Sequence, residues 1–497
     1  MSQSTESMTK RTAFHAVFLS LIIGCATAPH TARHDAQTPP RSSSVSPYPH
    51  LKEQIDALLP DSLFPPSNIG MKVVSLTRGE TLYELNPYML FTPASNQKLM
   101  TSAAALSLLG EGYCFVTEAF IDTLEKPTIV IRGSGDPLLQ TEDIDSIARS
   151  LSTILSHDVA WTLAGDVSFF DQVSWGRGWM WDDEPEAYAM FISPLSVNGN
   201  SIELRVRPGA TIGERVQVER SPSTGFVSVE NTAVSVDTVE HDSIQIDRVW
   251  HEGSNVIVIN GTMSLHDSLW EGAVSVRQPE EYFLTLLSER LEFYGIRISR
   301  IELGSKRPGL PAAVSISQRL DSVTTFMNKE SDNLSAENLL KTLGAEMYGP
   351  PGTASKGIAA IKSFLSNHSI DTTNIVIADG SGVSRYNLVS ADAIVRLLEI
   401  MYEDSGHFPV FYNSLPIAGA DGTLESRMKN SSAQGNLRAK TGSLSGVSAL
   451  SGYVYTADGE LLGFSMLMQN FAAGTRSYRQ VQDGIGIFLG EMRRSEF

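Results

Sequence analysis

The sequence predicts an α/β fold of the α+β kind, one domain written in two stretches with an insertion between them. Three observations point there. Helical periodicity and short apolar strands occupy both ends, residues 50–120 and 310–497. Alternating, β-branched runs dominate the middle, residues 121–309. The 497 residues are 42% hydrophobic and 19% charged, an ordinary globular balance that argues against wholesale disorder. Length alone suggests about three domains at roughly 150 residues each. The 38 basic residues face 56 acidic ones, a formal charge of −18. Such a surface repels phosphate backbones, so no nucleic-acid partner is expected. The two cysteines, Cys25 and Cys114, can build neither a disulfide framework nor a cysteine-rich metal site.

The chain opens on an address. Lys10 and Arg11 precede an apolar stretch from Thr12 to Gly24. That length is too short to span a bilayer but fits the core of a signal peptide. The stretch ends Ile22-Ile23-Gly24-Cys25, which resembles a bacterial lipoprotein processing box. Residues 1–25 are therefore expected to be a signal peptide, with Cys25 as the lipidation site and a lipid anchor to a membrane. The alternative is a plain secretory signal cut nearby, with Cys25 incidental. Residues 26–49 carry Pro29, Pro39, Pro40 and Pro47 among serines and read as a flexible tether. Its coil would span roughly 25–30 Å. Removing residues 1–24 takes away Lys10, Arg11 and Glu6, one net positive charge, and leaves −19. The remaining thiol, Cys114, reads as a small packed hydrophobe.

The elements of the body follow in order. Leu51, Ile55, Leu58 and Leu59 recur at helical spacing, so a helix starts near residue 50. Met71–Ser75 and Thr81–Leu85 flank Thr77-Arg78-Gly79-Glu80 and read as a hairpin. Pro93 precedes a helical run from Ser95 to Leu109, stopped by Gly110 and Gly112. The middle holds strand-like runs at Thr128–Arg132, Ser201–Val206, Arg215–Val218, Ile244–Trp250 and Asn255–Leu265. Pro279 opens a strong helix that Gly295 closes. Helices return at Asp321–Lys329, Ala336–Met347, Ala354–Ser366 and Ala391–Tyr402. Strands follow at Leu437–Thr441, Val447–Tyr455 and Leu461–Gln469, and a last helix covers Ser477–Arg494.

Three motifs carry the chemistry: Ser95-Asn-Gln-Lys98, Ser331-Asp-Asn333 and Lys440-Thr-Gly442 followed by Ser443. Each alone is unremarkable, a helix N-cap, a loop and a turn. Together, in this order, they resemble the signature of active-site serine β-lactamases and penicillin-binding proteins. Residues three apart share a helix face, so the Lys98 amine lies near the Ser95 hydroxyl. A serine needs a base to become a nucleophile. Lys98 can be that base only if burial or a neighbouring cation lowers its pKa, and Lys440 supplies such a cation. The backbone N–H groups of Ser95 and Ser443 can hold an oxyanion. Gly442 leaves room for a substrate beside the strand. Ser331 can relay a proton to the leaving amine, and Asn333 can hold a peptide carbonyl. Lys440, Thr441 and Ser443 can bind a free carboxylate.

The flanks sharpen the resemblance. Phe91-Thr-Pro-Ala-Ser-Asn-Gln-Lys-Leu99 and Met327-Asn-Lys-Glu-Ser-Asp-Asn-Leu-Ser-Ala-Glu337 look like segments of D-alanyl-D-alanine carboxypeptidases of the penicillin-binding protein 4 type. So do Asp379-Gly-Ser-Gly-Val-Ser-Arg-Tyr-Asn387, Leu415–Leu424 and Arg438–Leu444. Gly133-Ser-Gly-Asp-Pro137 and Gly178-Trp-Met-Trp-Asp-Asp183 resemble pieces of that family's inserted region. The gap of 236 residues between Ser95 and Ser331 suits such an insertion. The resemblance implies a five-stranded antiparallel sheet flanked by helices, the serine β-lactamase and transpeptidase-like fold. It implies acyl transfer at D-Ala-D-Ala ends and cross-links of peptidoglycan stem peptides through a Ser95 acyl-enzyme. β-Lactam antibiotics would be covalent inhibitors, no cofactor or metal is needed, and the expected location is periplasmic, with an outer-membrane lipoprotein as the anchored form. Asp183 would meet the free amine of the stem's diamino acid; a structural acidic loop beside Trp179 and Trp181 is the alternative. Two other readings share the motifs, a β-lactamase or esterase and a non-catalytic wall-binding protein. Glu84-Leu85-Asn86 reads as strand and turn, and Asp379 and Asp421 as glycine-rich turns. His241 beside Asp242 and His251 beside Glu252 read as surface loops, and Gly133-Ser-Gly135 lacks the following helix of a nucleotide site.

Overall fold

The computed structural model describes residues 47–64, 67–238, 244–304, 311–472 and 474–496. The signal peptide, Cys25, the tether up to residue 46 and the His241–Asp242 pair lie outside the described residues. Pro49, assigned to the tether by composition, instead opens the helix Pro49–Asp56, where a missing N–H costs nothing. Leu51 and Ile55 of that helix are fully buried.

Five antiparallel strands form the catalytic-side sheet, in the order Arg438–Leu444, Val447–Tyr455, Leu461–Gln469, Asn68–Ser75, Glu80–Leu85. The two ends of the chain meet here, with Asn68 opposite Gln469 and Ser75 opposite Leu462. The strands Val447–Tyr455 and Leu461–Gln469 are buried along nearly their whole length, and two of their few polar side chains, Ser451 and Ser465, bond each other across the ladder at 2.9 Å. Helices cover both faces. The helix Gln97–Leu109 packs on one face with Leu320–Lys329, Asn333–Tyr348, Ala354–Asn367, Ala391–Glu403 and the short Phe408–Ser414. Pro49–Asp56 and Arg476–Glu491 cover the other. Leu99, Met100, Ala103, Ala104, Ala105 and Leu106 are all buried, so the helix bearing Lys98 runs through the core rather than over it.

The insertion has its own core and a second five-stranded sheet, ordered Arg297–Leu303, Ala160–Asp166, Thr128–Gly133, Cys114–Asp122, Val314–Arg319. Its pairing is mixed: Thr128–Gly133 and Arg297–Leu303 each run parallel to Ala160–Asp166. The strands Cys114–Asp122 and Val314–Arg319 pair with each other, so the sheet begins before residue 121 and continues past 309. The helix Thr141–Ser152 was not expected in this β-rich stretch. Ile144, Ile147, Ala148 and Leu151 make its buried stripe, but the polar residues between them mask the period. It also follows Gly133-Ser-Gly135 after a short loop; both glycines serve packing, since a Cβ on Gly133 would lie 2.0 Å from the Pro194 carbonyl oxygen. The single run Asn255–Leu265 is two strands, Val256–Asn260 and Thr262–Ser264, in different sheets. Gly261, at φ +91, breaks it. Cys114 is half-buried, with its sulfur 3.5 Å from the Gly112 carbonyl, and so is not a core residue. Among the described residues no helix is long and apolar enough to cross a membrane.

Candidate active site

Ser95 sits in a 3-10 turn, Ala94–Asn96, that runs straight into the helix Gln97–Leu109. Ala94 has φ +47, a strained value for a residue with a Cβ. Three neighbours hold the turn. The Asn96 side chain donates to the Lys440 carbonyl at 2.9 Å. A Cβ on Gly442 would lie 2.8 Å from the Pro93 oxygen and 3.1 Å from the Ser95 nitrogen. Gly442 therefore lets the strand approach the nucleophile's own turn, and it lines the cleft beside Ser95. A Cβ on Gly382, at φ +89, would lie 1.9 Å from the Ala94 oxygen, so the loop Asp379–Asn387 presses on the other side.

Lys98 is fully buried one turn along. Its Nζ donates to Ser95 Oγ at 3.1 Å, Asn333 Oδ1 at 2.6 Å and the Ser381 carbonyl at 2.8 Å. Burial lowers its pKa to about 8, against the pull of the Asp332, Asp379 and Glu337 carboxylates. Burial is the largest cause, and the neighbouring Lys440 is a second cation in the same buried site. Lys440 is itself buried and pushed well below its ordinary value, by desolvation first and by Lys98 second. Its Nζ donates to the Thr441 carbonyl at 3.1 Å, and its side chain is on the same strand face as Gly442, close enough to Lys98 for the two charges to repel. Thr441 and Ser443 line the cleft.

The second motif arrives at a helix start. Asp332 caps the helix Asn333–Tyr348 by accepting from the Ser335 N–H at 2.6 Å. Asn333 is thereby fixed with one amide end on Lys98 and the other donating to the Tyr188 carbonyl at 2.7 Å. One N–H of that amide remains for a ligand. Ser331, at φ +62, lines the cleft beside Ser95. Among the described residues its hydroxyl is hydrogen-bonded to neither Ser95 nor Lys98. Asp183 lines the same cleft, about 530 Å³, and its carboxylate accepts from the Tyr188 hydroxyl at 2.7 Å and the Met180 N–H at 3.1 Å. Trp179 is buried and bonds Asp379 at 2.9 Å, so this loop is pinned to the catalytic side.

Sequence reasoning missed Glu337. It is buried and accepts from the N–H groups of Gly380 and Ser381 at 3.0 and 2.8 Å. Burial and the nearby Asp379 push its carboxyl above the usual range. Glu337 lies one turn beyond Asn333, and a glutamate on a helix's buried face was the available signal. Asp379 does hold a turn, accepting from the N–H groups of Gly382 and Ser384 at 2.9 and 2.6 Å. Asp421 does likewise with Ile417, and pairs with Lys329.

A D-alanyl-D-alanine carboxypeptidase of Actinomadura sp. is 34% identical over 469 residues, 89% of this chain and 84% of that one. A penicillin-sensitive carboxypeptidase A of Dictyostelium discoideum is 27% identical over 435 residues, 82% of this chain and 83% of that one. The crystal structure of penicillin binding protein 4 from Haemophilus influenzae has a TM-score of 0.78 at 23% identity, covering 88% of this chain and 99% of that one. That likeness establishes the fold, which is the serine β-lactamase and transpeptidase-like α+β architecture. The family model described as the D-Ala-D-Ala carboxypeptidase 3 (S13) family matches residues 51–492, and the chain belongs to that family.

Proposed function

We propose that the protein is a serine D,D-carboxypeptidase and D,D-endopeptidase of peptidoglycan stem peptides, with Ser95 as nucleophile and Lys98 as base. The observation that carries this reading is a buried lysine, with pKa lowered to about 8, 3.1 Å from a serine hydroxyl at the foot of a cleft. Neutral Lys98 takes the Ser95 proton as Oγ bonds to the penultimate D-Ala carbonyl carbon. The N–H groups of Ser95 and Ser443 receive the oxyanion. The C–N bond then breaks, and Ser331 relays the proton that Lys98 took from Ser95 on to the departing amine. Water hydrolyses the ester and restores Ser95. Asn333 positions the peptide carbonyl, Thr441 and Ser443 hold the terminal carboxylate, and the buried Lys440 adds positive charge beside Lys98. Asp183 receives the stem's free amine, a role supported by its place in the cleft with Ser95. A β-lactam acylates Ser95 by the same route.

The body works outside the cytoplasm, as the apolar run before Cys25 suggests, and Cys25 anchors it through the tether. Mass analysis of the processed N-terminus checks this: a diacyl or triacyl adduct on Cys25 supports it, and a free N-terminus elsewhere overturns it. For the activity, wild-type protein should release D-Ala from a D-Ala-D-Ala pentapeptide and be labelled by fluorescent penicillin. Ser95→Ala should lose both. Labelling retained in Ser95→Ala would place the nucleophile elsewhere, and fast penicillin turnover would make the protein a β-lactamase.

A further inference from the structure

The catalytic serine stands between two unlike halves of one cleft. On one side lie Asp183 and the exposed Arg385, one N–H of which donates to the Ser445 carbonyl at 2.8 Å. On the other side the cleft widens to about 930 Å³ between the strand Arg438–Leu444 and the start of the helix Arg476–Glu491. Ser95 and Ser331 line both halves. The second half carries three guanidiniums, Arg427, Arg476 and Arg479, against one carboxylate, Asp483. Arg427 neutralises Asp483 at 2.6 Å. Arg479 donates to Ser443 Oγ at 3.0 Å, one hydrogen bond from the hydroxyl assigned to the terminal carboxylate. Arg476 is exposed and forms no ion pair among the described residues. Residues three apart on a helix are neighbours, so Arg476 stands one turn beyond Arg479 along the same wall, at the helix end whose unpaired N–H groups also favour anions.

A single departing D-Ala carries one carboxylate. Thr441, Ser443 and Arg479 suffice for it, and it would fill a small part of this space. A second, unpaired arginine in a peptide-sized cleft on a chain of charge −18 calls for a second anion. We infer that the Arg476 side of the cleft is a leaving-group subsite that takes the second carboxylate of a departing stem peptide, and so selects cross-linked over single-stem substrates. The inference rests on the proposed D,D-peptidase activity. It assigns the acyl half to the cleft side bearing Asp183, which favours an ammonium, and the leaving half to the side bearing Arg476, which favours carboxylates.

The test uses the full chain and three substrates: a D-Ala-D-Ala pentapeptide, a cross-linked dimer, and the same dimer with the leaving stem's outer carboxylates amidated. Arg476→Ala should lower kcat/KM on the dimer about fivefold, the scale of an exposed ion pair, and Arg476→Glu by about tenfold or more. Both variants should release D-Ala from the pentapeptide within about twofold of wild type, which also shows that they fold. On the amidated dimer wild type and Arg476→Ala should be equal. Equal losses on pentapeptide and dimer, or an unchanged rate on the dimer, overturn the subsite while leaving the activity intact. Wild-type protein that releases D-Ala but opens no dimer also overturns it. Wild-type protein that does neither removes the D,D-peptidase reading as well.

Discussion

At the scale of residues, the reactive geometry depends on how a buried lysine is balanced. Burial pulls the Lys98 pKa down to about 8, against three carboxylates that favour its charged form. Asp332 is the largest of the opposing charges, and its other task, capping the helix, is one that asparagine performs as well. Asp332→Asn should therefore keep the fold and lower the Lys98 pKa further. The sign follows directly. The neutral base accumulates as pH rises through the lysine's pKa, so penicillin acylation should rise through about pH 8 in wild type. In Asp332→Asn that limb should move to lower pH, as read from acylation rates against pH, with Tm nearly unchanged. An unmoved limb would mean that another group titrates. Ser95, Lys98 and Asn333 are legible as neighbours from motif spacing, because local helix geometry places Lys98 and the ordered motifs place Asn333. Glu337 and the extent to which Lys98 is buried are not legible, since both depend on tertiary packing.

At the scale of elements, the 3-10 turn holding Ser95 is braced by the edge strand Arg438–Leu444 and the loop Asp379–Asn387. The loop grips the helix as well: Thr101 donates to the Gly380 carbonyl at 2.7 Å, and Lys98 to that of Ser381 at 2.8 Å. Inside it, Asn387 bonds Asp379 at 2.6 Å and receives the Ala378 N–H at 2.7 Å, so the loop holds its shape without secondary structure. Gly382→Ala should be severe for two reasons, a φ of +89 and a methyl 1.9 Å from the Ala94 oxygen. Strain of this kind costs about 1–3 kcal/mol, and the turn that yields is the one bearing Ser95. A lowered Tm with at least a tenfold slower penicillin acylation is the expected result; wild-type rates would show that the loop does not set the turn. Elements with plain periodicity, such as Pro279–Phe293 and Leu461–Gln469, can be read from the chain. The helix Thr141–Ser152 and the break at Gly261 resist reading because a polar-rich stripe and a single positive φ leave little compositional trace.

At the scale of the whole molecule, the helix Asn333–Tyr348 is the seam between insertion and catalytic body. Asn333 holds the Tyr188 carbonyl, Asn338 reaches the Gly135 carbonyl at 3.1 Å, and Lys341 pairs with Asp171 at 2.5 Å. Lys341 is almost wholly buried while Asp171 is 24% exposed, so losing the pair costs less than the several kcal/mol of a fully buried one. Lys341→Ala should destabilise by roughly 2–3 kcal/mol, read from thermal or denaturant unfolding. A change within about 0.5 kcal/mol would show that the seam is held elsewhere. The insertion's presence is legible from composition, but its seam is not, because its partners lie far apart in sequence. The meeting of the two chain ends in one sheet has a consequence for how the molecule comes into being. The Leu461 N–H bonds Thr77, 384 positions away, whereas the insertion's sheets find all their partners within residues 114–319. Topology of this kind makes local units quick and distant pairings slow. Synthesis must deliver nearly all of residues 68–469 before the first hairpin has a neighbour to zip against. The insertion can therefore mature early and wait, and reactivity arrives last, only after the carboxy-terminal strands have emerged.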